Sequence, residues 1–174
     1  MFSLFQHLSF LASFLSGGPS SHLAERVLVP RVGDSVVLSG TLWKGLLARS
    51  ASSSISNVDY DSATNRMLVE SVLSVSGEEP TIENEWLDAS EMIDEEIAPY
   101  LAQLMCENED IEGEFVELET PVGTFVSCKI RIDEDTSEGY MWVGAVPFGV
   151  LKADIKDTAQ NLRYQGVVSQ YSWK

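Results

Sequence analysis

The stretch from Glu114 to Ile132 leaves this chain the least freedom. Apolar and polar residues alternate on both sides of Pro121-Val122-Gly123, and period-two alternation marks a half-buried strand. Proline presets φ at the first position of a turn and glycine accepts a left-handed one. These three residues therefore predict a hairpin with a three-residue loop. The loop pairs Leu118 with Val126 and Val116 with Cys128 on one face. Phe115, Glu117, Glu119, Phe125, Lys129 and Arg131 take the other, with Glu117 diagonal to Lys129. Strands joined by so short a turn run antiparallel.

Other segments join that sheet. Val36, Leu38 and Leu42 follow a Gly33-Asp34 turn, and Val58 to Tyr60 and Met67 to Val75 bracket the turn-forming Asp61 to Asn65. Tyr140 to Val146 adds a third strand to the hairpin, and Val167 to Trp173 alternates again. Ala48 to Asn57 is rich in serine and low in bulk, so it is read as a loop or a ragged edge.

Three helices are expected. In residues 1–15, Leu4, Leu8, Leu11 and Leu15 line one face, and Ser16-Gly17-Gly18-Pro19 ends the run. Lacking a basic n-region, it is read first as an apolar arm that packs on the body, on a second copy or on a membrane surface, with a cleaved secretion signal as the alternative. Asp88 and Glu91 form a capping box ahead of Ile93, Ile97, Leu101 and Met105, which recur at every fourth position. Leu151, Ile155, Ala159 and Leu162, with Gly166 as the cap, predict the last helix. The expected fold is α+β, a mainly antiparallel sheet with helices packed on one face, plus the N-terminal apolar helix. Residues 1–19 form the arm and residues 20–174 one domain.

Charge bears on function. The 17 acids from Glu70 to Glu119 lie in a stretch, Met67 to Cys128, that has no Lys or Arg. The flanks carry +1 and 0, so this middle third accounts for the net charge of -16. An anionic surface of this kind repels phosphate backbones, which argues against nucleic acid as a partner, and it attracts a basic protein. The candidate contact residues are Glu91, Asp94, Glu95, Glu96, Glu107, Glu109, Asp110 and Glu112. The plain alternative for them is a solvated helix face.

Catalytic signatures are sparse. The two histidines, His7 and His22, both lie in the arm, and no phosphate-binding glycine loop, HExxH or CxxC occurs. Asp133, Asp135 and Glu138 cluster before Gly139, but a calcium loop of the EF-hand type needs its glycine at the sixth position, where Glu138 stands. No cofactor or metal is expected. Cys106 and Cys128 match no zinc spacing and read as ordinary packed thiols. The function expected is an acidic protein–protein interaction protein, such as an inhibitor, adaptor or assembly subunit, located in the cytoplasm. A carboxylate- or metal-dependent enzyme and a membrane-peripheral subunit anchored by the arm are the alternatives.

Overall fold

A computed structural model describes residues 31–174. The apolar arm of residues 1–19 lies outside the described residues. The described chain runs β1 (Ser35–Lys44), β2 (Leu47–Asp61), β3 (Arg66–Val75) and β4 (Thr81–Asp88). A crossover follows over residues 89–112, containing 3-10 turns at Ala89–Glu91 and Ala98–Tyr100 and the short helix α1 (Leu101–Cys106). Then come β5 (Gly113–Thr120), β6 (Gly123–Glu134), β7 (Ser137–Val143), a 3-10 turn at Pro147–Gly149, β8 (Val150–Asp157) and β9 (Leu162–Ser172). Every strand pairing is antiparallel. The sheet order is β4-β3-β2-β1-β9-β8-β7-β6-β5.

The expectation of an α+β fold with helices on one face is therefore overturned. The fold is one nine-stranded antiparallel sheet with a single six-residue α-helix among the described residues. Leu151 and Ile155, read as a helical stripe, sit on β8 with Ala153 between them, and all three are buried. A spacing of four fits one turn of helix and two steps of a strand equally well. The residue two along decides, and Ala153 is small enough to be overlooked. Leu162, the last of that stripe, begins β9, and Gly166 lies within β9 rather than at a helix end. In the stripe from Ile93 to Met105 only Leu101 and Met105 fall in α1. Pro99 sits in the preceding 3-10 turn, where its missing N–H does least harm. The Asp88 cap is real but serves a 3-10 turn, its carboxylate accepting the Ser90 N–H at 2.9 Å.

The serine-rich stretch is the second correction. It belongs to β2, a 15-residue strand between β1 and β3. Ala51, Ser53, Ile55 and Asn57 turn inwards and are buried, while Ser50, Ser52, Ser54 and Ser56 alternate with them. Low bulk hides the alternation in the sequence without abolishing it.

Inward residues of all the strands from β1 to β3 and from β6 to β9 share one core with Leu101, Ala102 and Met105 of α1. The crossover thus carries the chain from one edge of the sheet to the other, with α1 against its inner face. The sheet curls around this core. The Phe125 ring on β6 meets the Tyr171 ring on β9 edge-on at 6.2 Å, although two strands separate β6 from β9. A Cβ at Gly166 would stand 2.3 Å from the Tyr164 Oη. Glycine there makes room for the buried Tyr164, whose hydroxyl donates to the Leu38 carbonyl at 3.0 Å.

Candidate functional site

The hairpin expected at Pro121 exists, with its register moved by one. Pro121 and Val122 alone form the loop and Thr120 pairs with Gly123, so Leu118 opposes Phe125, and Glu117 opposes Val126. Opposed residues share a face, which puts Glu114, Val116 and Leu118 with Phe125, Ser127 and Lys129. Phe115, Glu117 and Glu119 lie on the other face with Val126 and Cys128. Lys129 accordingly faces Glu114, at 3.9 Å, and not Glu117. The shift leaves Glu117 without the cation that the sequence assigned to it.

This hairpin is closed at its base by a disulfide. Cys106, at the end of α1, is bonded to Cys128 on β6, so the reading of both as ordinary thiols is overturned. Their spacing hid it, because two cysteines 22 residues apart announce no framework. Helix and strand bring them together only once the crossover lies on the inner face. A Cβ at Gly113 would stand 2.6 Å from Cys128 Sγ and 3.1 Å from Cys106 Cα, so glycine allows β5 to start directly over the bridge. Seven acids and no Lys, Arg or His lie between the two cysteines: Glu107, Glu109, Asp110, Glu112, Glu114, Glu117 and Glu119.

No protein-family model matches the chain. No curated protein matches it significantly. Among solved structures it is similar to a "putative lipoprotein" from Parabacteroides distasonis ATCC 8503, at 14% identity over 82% of this chain and 96% of that one, with a TM-score of 0.42. It is also similar to MucB, solved in complex with MucA(peri), at 10% identity over 95% of this chain and 55% of that one, again with a TM-score of 0.42. Similarity at this level does not bear on what the chain does.

The eight contact residues read from the sequence divide according to what already holds them. Glu91 ends the first 3-10 turn of the crossover. Asp94 is half-buried and accepts the Ile97 N–H at 2.7 Å, closing the next turn. Glu95 pairs with Arg31 at 2.8 Å, and Glu96 beside it is exposed. Glu107 accepts from the Gln103 side chain at 2.9 Å. Glu109, Asp110 and Glu112 are exposed at the entry to β5, with no cation within 4 Å among the described residues. Glu117 and Glu119, exposed on β5, share that condition and were missed by the sequence list. The signal for them was their place on an edge strand, which only the sheet order reveals.

The outer face of β6 to β9 carries several of the close ion pairs. There Arg131 pairs with Asp133, Lys156 with Glu138 and Arg163 with Asp154, each at 2.8 Å. Lys156 holds the Glu138 carboxyl below the usual carboxylate range. The bidentate Asp154 contact pushes the Arg163 guanidinium up. Lys129 and Lys152 lie over the Tyr140 and Trp142 rings, at 4.4 and 4.3 Å, so this face offers ring-stacked cations already close to neutral balance. A shallow cavity of about 440 Å³ there is lined by the same ion pairs. A second cavity of about 460 Å³ lies where β1 turns into β2, between Leu42, Leu47, Leu73, Val75 and Leu162, with the Arg49–Glu78 pair at its rim. Among the described residues no group of three or more His, Cys, Asp or Glu could hold a metal. No helix among them is long and apolar enough to cross a membrane.

Proposed function

We propose that this chain is a protein-binding module that docks a basic partner through the disulfide-closed acidic loop and the crossover leading into it. The contact residues in this reading are Glu109, Asp110 and Glu112, joined by Glu117 and Glu119, with Glu91, Asp94, Glu95, Glu96 and Glu107 flanking them. One observation carries the reading. On the outer face Arg131, Lys156 and Arg163 each hold a carboxylate at 2.8 Å, whereas the seven acids between Cys106 and Cys128 meet one lysine, at 3.9 Å. Unmatched like charge on one rim costs folding stability by self-repulsion, and it speeds encounter with a complementary surface. The disulfide supports an oxidising compartment, outside the cytoplasm that the sequence suggested.

The test compares two charge reversals of equal size. Glu109→Lys with Glu112→Lys alters the loop, and Glu79→Lys with Asp135→Lys alters exposed turns elsewhere. Partners cross-linked from native extract at low salt should be lost with the first pair and kept with the second. For a recovered partner, the association rate should fall by roughly tenfold or more at low salt and converge with wild type as salt rises. Equal loss with both pairs makes net charge the cause and removes the loop as a site. Asp94→Lys and Glu95→Lys are unsuitable, since both residues already hold local structure.

A further inference from the structure

We infer that the free edge of β5 receives an extended segment of the partner as an additional strand, and that this segment alternates basic and apolar residues. The inference rests on the docking reading above and specifies its geometry. Among the described residues β5 is the last strand of the sheet and pairs on one side only, with β6. Alternate residues of a strand turn their N–H and C=O groups away from the neighbour, so half the backbone polar groups of β5 point where no strand of the described residues pairs with them. Such an edge is a template for β-addition, in which main-chain bonds give affinity and alternate side chains give specificity.

The side chains define the guest. Phe115, Glu117 and Glu119 share one face of β5, and all three are exposed, Phe115 to 53%. Val116 and Leu118, on the other face, are half-buried against the sheet. A strand laid alongside would place every second residue next to Glu117 and Glu119 and the intervening ones next to Val116 and Leu118. Basic residues suit the first set and apolar residues the second. A second copy of this chain in the same register would bring glutamate against glutamate, which excludes it at neutral pH. The Cys106–Cys128 bridge fixes the start of the edge, so little ordering is left for the moment of binding.

The test uses a blocked eight-residue peptide of alternating lysine and valine, in three forms: unmodified, N-methylated at every lysine, and N-methylated at every valine. Binding is read by fluorescence anisotropy at low salt and by amide hydrogen exchange. Strand addition expects the unmodified peptide to bind and one methylated form to bind about as well. The other form should be weaker by roughly tenfold or more, because only one set of N–H groups faces β5. It also expects new protection at β5 amides, and loss of binding in Glu117→Lys with Glu119→Lys, whose melting temperature should stay near wild type. Equal binding by all three forms overturns strand addition while leaving electrostatic docking in place. Protection at β4 instead of β5 overturns the choice of edge. If no form binds the wild type, both the strand addition and the docking reading that it rests on fall.

Discussion

Asp34 is buried where β1 begins, and its Oδ1 accepts the Lys174 backbone N–H at 2.7 Å. Burial pushes its carboxyl above the usual carboxylate range, and the Lys174 hydrogen bond and the nearby Arg31 only partly offset this. As pH rises, the unfolded chain releases the proton first, so the native state loses stability across the window from the ordinary aspartate value up to the raised one. That deficit persists at neutral pH. Asp34→Asn keeps an acceptor for Lys174 and removes the charge, so its stability relative to wild type should improve as urea titrations move from about pH 3.5 to pH 7. Asp34→Ala should be worse than Asp34→Asn at both, because the Lys174 N–H loses its acceptor. Tyr164 has the opposite logic. Its hydroxyl is buried and bonded to the Leu38 carbonyl, and burial raises its pKa beyond the reach of ordinary buffers. Tyr164→Phe should cost roughly 1 kcal/mol, measurable as a shift in denaturation midpoint without a change in slope, and with no dependence on pH between about 5 and 9.

At the scale of elements, what the sequence disclosed depended on whether its signals had one geometric solution. The β2–β3 hairpin was legible because Asp61 bonds the backbone and hydroxyl of its own turn, at Ala63 and Thr64, and the runs on either side of that turn read as strands. The β5–β6 hairpin was legible as a hairpin but not in register, since Pro121-Val122-Gly123 suits a two- or three-residue loop and one residue's difference moves every pairing. That slip gave Glu117 a false partner and removed it from the candidate site. β8 was misread because Leu151 and Ile155 satisfy both periods, and β2 because serine carries no apolar signal whichever way it points. The disulfide was beyond reach, since it depends on a crossover between the two edges of the sheet that no local pattern encodes. It also has a measurable weight. Closing the 22-residue separation between Cys106 and Cys128 is worth about 3 kcal/mol through the unfolded chain. Cys106→Ser with Cys128→Ser should lower stability by about that much in chemical denaturation. Amide exchange should rise first in α1 and β5, the elements that the bridge holds to β6. A loss shared evenly over all nine strands would mean that the bridge holds no element in particular.

On the scale of the whole molecule, an open sheet has two edges, and among the described residues both are acidic. β4 carries Glu83, Glu85 and Asp88, and β5 carries Glu114, Glu117 and Glu119. Charge on an edge strand is a common guard against pairing with further copies. Guarding and docking are compatible, because acids that refuse an identical edge admit a basic one. The guard predicts its own failure. Threonine favours strands and carries no charge, so Glu117→Thr with Glu119→Thr leaves β5 intact and takes away the repulsion between its copies. That variant should associate at neutral pH, seen as rising light scattering with protein concentration, while its unfolding free energy stays within the small change usual for surface substitutions, about 0.5 kcal/mol. Glu79→Thr with Asp135→Thr removes the same charge from exposed turns and should stay as dispersed as wild type. If both variants associate alike, the lowered net charge is responsible and the β5 glutamates guard nothing. If neither does, the edge is protected by its shape, and the glutamates are left with docking as their role.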